Sequence, residues 1–323
     1  MLQYFSGTCE TARKRLLETA LHHLPTKYPS ISHLPINQAQ NASCDLIHAK
    51  REGNHALLIL SSGLHGIEGF TGSAMQLRFL EEHLARLNSS EVDLLFIHAM
   101  NVDTMDHHTY APLRGVFIPK AGSGSRFGHF PFSFKTVSRL LPIGPGRLFK
   151  SATTVPVPQP ISIHFDGQPP DPYIHDVLSA VSDLITPYSH VLFLDCHTGH
   201  GLQTEVQLVL PSADCRTANH LKEFTRYPIV EHPLYLFEGE WLNSLYQWTH
   251  EKEIGFLGLI IECGTAKDSS GLRRPLQAVF TENRLWRQHV MNEADLLFSH
   301  MVELMNDPLN YPLLKRNLTW SSS

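Results

Sequence analysis

Three short runs carry residues whose types and spacing could do metal chemistry. The first, Ser61-Ser62-Gly63-Leu64-His65-Gly66-Ile67-Glu68-Gly69, directly follows the apolar run Ala56 to Leu60. It sets His65 and Glu68 within one turn at the end of a buried strand. Such a pair can give two ligands to one ion, and catalytic zinc usually takes three protein ligands with water in the fourth position. The second run, Leu194-Asp195-Cys196-His197-Thr198-Gly199, offers His197 as the third ligand. The third, Ile260-Ile261-Glu262-Cys263-Gly264-Thr265, offers a further carboxylate, Glu262, as a candidate general base.

The chemistry these residues suit is hydrolysis with one zinc ion per chain, held by His65, Glu68 and His197. Zinc lowers the pKa of its water and polarises a carbonyl. Glu262 would take the proton of the attacking water and hand it to the leaving nitrogen. Asp195 sits two positions before His197, on the same face of a strand, and can accept a hydrogen bond from the ligand ring. Arg114 is the candidate cation for the developing oxyanion, a contribution of about 3–4 kcal/mol in comparable sites. Taken singly, each piece has a plain alternative. An H-x-x-E pair arises by chance, Asp195 and His197 could be a hydrogen-bonded core pair, and Glu262 could be a helix cap or an ion-pair partner. The conjunction is more specific, because all of them fall at strand ends among glycines and threonines.

Those ends belong to elements that the hydrophobic pattern predicts. Continuous apolar runs predict buried strands over Ala56 to Leu60, Val92 to Ala99, His190 to Cys196, Val206 to Leu210 and Phe256 to Ile261. Helical spacing predicts helices over Cys9 to Leu24, Thr71 to Leu87, Tyr173 to Thr186, Ala213 to Phe224, Trp241 to Lys252 and Thr281 to Met305. Strand, loop, helix and strand in succession predict an α/β protein with a mixed, largely parallel sheet. In such sheets ligands gather beyond the carboxyl ends of the strands. Residues 103–172 differ, with recurrent Pro and Gly and four arginines, Arg114, Arg126, Arg139 and Arg147. A stretch this long tends to be functional or disordered, and it is read as an excursion within a single domain spanning 1–323.

Composition removes several function classes. A formal charge of −5 gives no basic field for nucleic acid. Five cysteines without a C-x-x-C pair argue against a disulfide framework and a zinc knuckle. Cys196 and Cys263 alternate with the proposed site residues and are expected to face the core. The first residues lack an apolar signal segment, and no stretch is long enough to span a bilayer, so the expected address is the cytoplasm. Neither G-x-x-x-x-G-K-[ST], G-x-G-x-x-G nor G-x-S-x-G occurs, which disfavours nucleotide binding and serine hydrolysis.

The same residues resemble a known family. H-G-x-E-G at His65 to Gly69, D-x-H-T-G at Asp195 to Gly199 and E-x-G-T at Glu262 to Thr265 look like the zinc carboxypeptidase superfamily, the relatives of carboxypeptidase A. They resemble in particular a bacterial branch known as a domain of unknown function. His98-Ala99-Met100-Asn101 and Leu276 to Leu285 extend the likeness, which spans residues 56 to about 290. The resemblance implies a phosphorylase/hydrolase-like three-layer α/β/α sandwich, zinc on His65, Glu68 and His197, and Glu262 as general base. Carboxypeptidases hold the substrate's terminal carboxylate with an Asn-Arg pair. In the branch it resembles, that pair belongs to a stretch that opens with further arginines; here Arg114 stands where those first arginines fall, and no Asn-Arg pair follows within the stretch. Arg126 could substitute, and Tyr235 or Tyr246 could be the substrate-gating tyrosine.

The expected function is a zinc-dependent hydrolase of amide bonds, carboxypeptidase-like, acting on a peptide or another small molecule rather than on nucleic acid or a membrane. One rival keeps fold and metal but cleaves N-acyl amino acids, as a deacylase. Another is a non-catalytic binding protein that has kept the fold.

Overall fold

Each of the seven residues of Ala56–Ser62 is buried, as is each of Val92–His98. Strands apolar on both faces need helices on both sides, and this requirement organises the molecule. The computed structural model describes residues 2–39, 42–106, 172–203, 205–211, 213, 214, 216, 218–221, 225, 227–230, 241–266 and 283–315. Most of the Pro/Gly-rich stretch at 103–172 therefore lies outside the described residues.

The strands are β1 (Ser30–Ala39), β2 (Ala42–Lys50), β3 (Ala56–Ser62), β4 (Val92–His98), β5 (His190–Leu202), β6 (Val206–Val209), β7 (Ile229–Val230) and β8 (Gly255–Ala266). They form one eight-stranded mixed sheet in the order β1-β2-β4-β3-β5-β8-β6-β7. The central strands β4, β3, β5 and β8 run parallel to one another. The main helices are α1 (Cys9–His23), α2 (Gly69–Arg78), α3 (Val102–Asp106), α4 (Pro172–Ile185), α5 (Trp241–Glu251) and α6 (Arg284–Met305). Leu58, Leu60, Leu192, Leu194 and Leu257 pack on one side against Leu16 of α1, Met75 of α2 and Phe298 of α6. Leu57, Ile59, Val191 and Phe193 pack on the other against Val177 of α4 and Trp241 and Leu245 of α5. This is an α/β/α sandwich, the fold class expected.

The apolar runs mark β3, β4, β5 and β8 correctly, although β5 and β8 extend further past their apolar cores than the runs suggest. The expected helix over Ala213 to Phe224 is not formed among the described residues, which lie in turns or without regular structure. Its reason is local: the Asp214 carboxylate accepts the Arg216 backbone N–H at 2.8 Å, an alternative to helical bonding. The Arg216 guanidinium donates to both Asp214 oxygens and to the carbonyls of Leu313 and Phe256, fastening the turn to β8 and the C-terminal segment. The helix after β3 is shorter than its pattern. After Arg78 it widens into a π turn over Phe79–His83, where His83 lies 3.0 Å from Asp295 of α6.

Helix α2 is the element that fixes the first motif. All residues from Gly69 to Leu77 are buried, and the small residues among them let the helix lie close against β3. A Cβ at Gly72 would stand 2.5 Å from Ser62 Cβ. Gln76 donates to the carbonyls of Leu60 at 2.9 Å and Ile97 at 3.0 Å, joining the ends of β3 and β4. Gly72→Ala should therefore push α2 off β3 and cost about 1–3 kcal/mol, read as a lower urea midpoint with an unchanged slope.

Two buried histidines make a second prediction. His48 contacts the Tyr188 hydroxyl at 2.7 Å and His98 the Ser73 hydroxyl at 3.0 Å. Burial pushes both down to about 4 from an ordinary 6.5. On unfolding these rings regain protons below about pH 6.5, so their contribution is complete above that value and is lost as the pH falls toward 4. Urea midpoints should fall across this interval, and His48→Gln with His98→Asn should flatten the slope.

Candidate metal centre

The turn after β3 is built by backbone geometry. Gly63 has φ of +76°, a left-handed setting that a side chain disfavours, and a Cβ there would meet Ala99 Cβ at 2.8 Å. With Gly63 so placed, its carbonyl accepts the Asn101 N–H at 2.8 Å, while Met100 N–H reaches the Ser62 carbonyl at 2.9 Å. The chain leaves the sheet at once, passes His65 and enters α2 with Glu68 at its N-cap.

Glu68 is buried and both its oxygens accept main-chain donors, Oε1 from His65 N–H at 3.0 Å and Oε2 from Thr198 N–H at 3.2 Å. That second bond ties the turn after β3 to β5. His197 Nδ1 lies 3.3 Å from Glu68 Oε1, and the rings of His65 and His197 have centroids 5.1 Å apart. One ligand atom from each of His65, Glu68 and His197 lies within 4.8 Å of the others, the spacing of groups that could share a metal ion.

Asp195 completes the arrangement from behind. Its Oδ2 lies 2.9 Å from His197 Nε2 and also accepts the Trp241 indole N–H at 2.9 Å. Its Oδ1 accepts the Ser61 hydroxyl at 2.5 Å. With Nε2 engaged by a carboxylate, His197 turns Nδ1 toward Glu68. Glu262 is buried, and its Cα is the register partner of His197 between β5 and β8. Partners in register project to the same face of a sheet, so Glu262 stands beside His197. The end of β8 is fixed by the Gly264 carbonyl, which accepts the Trp286 indole N–H of α6 at 2.6 Å.

The electrostatics suit a cation. Burial opposes charge on His197, but Glu68 and Asp195 outweigh it and hold its pKa well above the ordinary value. Burial likewise works against ionised Glu68 and Asp195, yet their histidine and hydrogen-bond partners hold both below the usual carboxylate range. His65 keeps a partly exposed edge, but desolvation of its ring, only partly opposed by Glu68, pushes it down to about 4. It is thus a neutral imidazole, the form that ligates metal.

The structure brings together His65, Glu68, His197 and Asp195, and sets Glu262 next to His197. It does not bring Tyr246 to this cluster. That hydroxyl is buried, donates to Asp214 Oδ2 at 2.5 Å and accepts the Gly258 N–H at 2.8 Å, as a core residue. Arg114, Arg126 and Tyr235 lie outside the described residues. Cys196 and Cys263 are buried on the opposite face, within the α1–α2–α6 core, where burial pushes both thiols up. Ser61 and Trp241 also contribute, although no pattern in the sequence assigns either a role at the site. Ser61 is marked only by its place before the H-x-x-E turn, and Trp241 by nothing local.

Residues 5–111 match the family model described as "Protein of unknown function (DUF2817)". No curated protein matches the chain. Among solved structures, bovine thrombin-activatable fibrinolysis inhibitor in complex with tick carboxypeptidase inhibitor is similar at 12% identity and a TM-score of 0.53, over 93% of this chain and 97% of that one. A second structure of thrombin-activatable fibrinolysis inhibitor gives 11% identity and a TM-score of 0.50, over 91% and 73%. A metallo-carboxypeptidase from Pseudomonas aeruginosa, in complex with (2-guanidinoethylmercapto)succinic acid, gives 14% identity and a TM-score of 0.51, over 94% and 69%. The chain thus shares the fold of metallocarboxypeptidases. Among the described residues no helix is long and apolar enough to cross a membrane.

Proposed function

We propose that this chain is a zinc-dependent hydrolase of amide bonds, acting on peptides or similar small molecules with His65, Glu68 and His197 as zinc ligands. The observation that carries the reading is the meeting of two imidazoles and one carboxylate within 4.8 Å, beside a buried Glu262 in register with His197. The donor set suits the ion: two nitrogens and a carboxylate oxygen are the three-ligand set of several zinc hydrolases. The fold shared with metallocarboxypeptidases supports the same reaction class.

Zinc bound there would supply Lewis acidity to a carbonyl and lower the pKa of a water. The chain's own groups do the rest. Asp195 fixes the His197 tautomer and leaves Nδ1 as the ligand atom. Glu262, acting as general base, accepts the proton of the attacking water and returns it to the leaving nitrogen, a role worth about 10²–10⁴ in rate. Arg114 is the proposed cation for the oxyanion, with Arg126 as a candidate for holding a substrate carboxylate. The net charge of −5 fits a small substrate better than nucleic acid.

A second reading, deacylation of N-acyl amino acids, is favoured by one sequence observation: no Asn-Arg pair follows Arg114 within its stretch. A panel of C-terminally varied peptides against N-acetyl amino acids, tested with zinc-loaded protein, separates the two. Cleavage of peptides alone supports the carboxypeptidase reading, and cleavage of acyl amino acids alone replaces it.

His65→Ala and His197→Ala should each reduce bound zinc, measured by elemental analysis, to well below one ion per chain. Glu262→Gln should keep its zinc and lose about 10²-fold or more in kcat. Zinc retained in both histidine variants would sink the metal assignment, and full turnover in Glu262→Gln would sink the general-base assignment.

A further inference from the structure

We propose that Trp241 is a positioning residue for this metal centre, acting through Asp195 to set the direction in which His197 presents Nδ1. The inference rests on the reading of His65, Glu68 and His197 as zinc ligands.

Asp195 is a carboxylate that is 1% exposed. A buried charge is costly unless its lone pairs meet donors, and the last torsion of an aspartate is intrinsically broad. A contact with His197 alone would leave the carboxylate plane free to turn, and the imidazole with it. The structure instead places donors from two further elements on the group. Ser61 of β3 reaches Oδ1 at 2.5 Å, and Trp241 of α5 reaches Oδ2 at 2.9 Å, the same oxygen that meets His197 Nε2. With both oxygens held, the plane has one setting. His197 Nδ1 is then directed to Glu68, 3.3 Å away.

Trp241 is suited to this because it is itself immobile. It is fully buried, and its ring meets Phe193 edge-on with centroids 4.9 Å apart. Phe193 precedes Asp195 by two residues on β5, so the indole spans the strand that carries both Asp195 and His197. Indole has a single donor and no acceptor, so its N–H can hold an anion without competing for the His197 proton. Trp286 provides the contrast: its N–H goes to a main-chain carbonyl, that of Gly264, and steadies a strand end rather than a charge.

The test is a double-mutant cycle on metal affinity. Zinc dissociation constants would be measured by chelator competition for the wild type, Trp241→Phe, Asp195→Ala and the pair, with apo-protein melting temperatures recorded alongside. Phenylalanine keeps the aromatic packing and deletes the N–H. Trp241→Phe should weaken zinc about tenfold and should add nothing further in the Asp195→Ala background. A change within about twofold, or the same loss in both backgrounds, would show packing alone and overturn the proposal. Ser61→Ala, which removes the other donor, should weaken zinc in the same direction and carries the same cycle should Trp241→Phe fail to fold. Wild-type protein that takes up no zinc overturns the metal-site reading and this inference together. Wild-type protein that binds zinc with Trp241→Phe unaffected overturns the inference alone.

Discussion

The level register of three parallel strands is the constraint on which the site depends. Ser62 of β3 is paired with Cys196 of β5, and Cys196 with Ile261 of β8. The chain therefore leaves β3 at the height where His197 and Glu262 lie on the neighbouring strands. A slip of one residue in β5 would turn Asp195 and His197 to the opposite face, among Leu192, Leu194 and Cys196. The register is protected because both faces of β3, β4 and β5 are buried. Each one-residue slip would bring a polar side chain into an apolar layer.

The second constraint is the desolvation of charge. Glu68 and Asp195 are each 1% exposed, and isolated buried carboxylates would be expelled or protonated. Neither is isolated. Glu68 takes two main-chain N–H groups, one from the turn after β3 and one from β5, and Asp195 takes donors from Ser61, His197 and Trp241. These bonds keep the acids ionised, and they also knit β3, β5 and α5 into one unit. The same logic recurs away from the site. Asp45 is fully buried but receives two bonds from Arg13, at 2.6 and 2.9 Å, and lies 2.7 Å from His33.

The difference between what was legible in the sequence and what was not follows from the range of the interactions. The central strands could be read because burial on both faces leaves unbroken apolar runs such as Ala56 to Leu60. His65 and Glu68 could be read because one turn contains both. Strands β1 and β2 left no such trace. β1 lies at the sheet edge with Ser32, His33 and Asn37 along it, while β2 buries Asp45 and His48 through partners on distant segments. The turn at Asp214 to Arg216 looked helical because its anchors, Phe256 and Leu313, are far along the chain. Trp241 was illegible for the same reason: nothing near it in sequence announces a carboxylate 46 residues away.

The two histidines of the cluster also differ in a way that sequence could not show. One stands in the turn after β3 and the other within β5, and the fold leaves the first neutral and draws positive charge onto the second. His197 lies between Glu68 and Asp195, whereas His65 is partnered by Glu68 with the cationic field of His197 against it. A field strong enough to favour a proton on a buried ring favours any cation at the same point, and a divalent ion gains more from it than a proton does. Glu68, whose two oxygens are already oriented by main-chain N–H groups, contributes to that field without having to reorganise. The pull on a cation at this point therefore resides in the placement of two acids around one ring. That placement is set by backbone amides, a serine and an indole as much as by the proposed ligands.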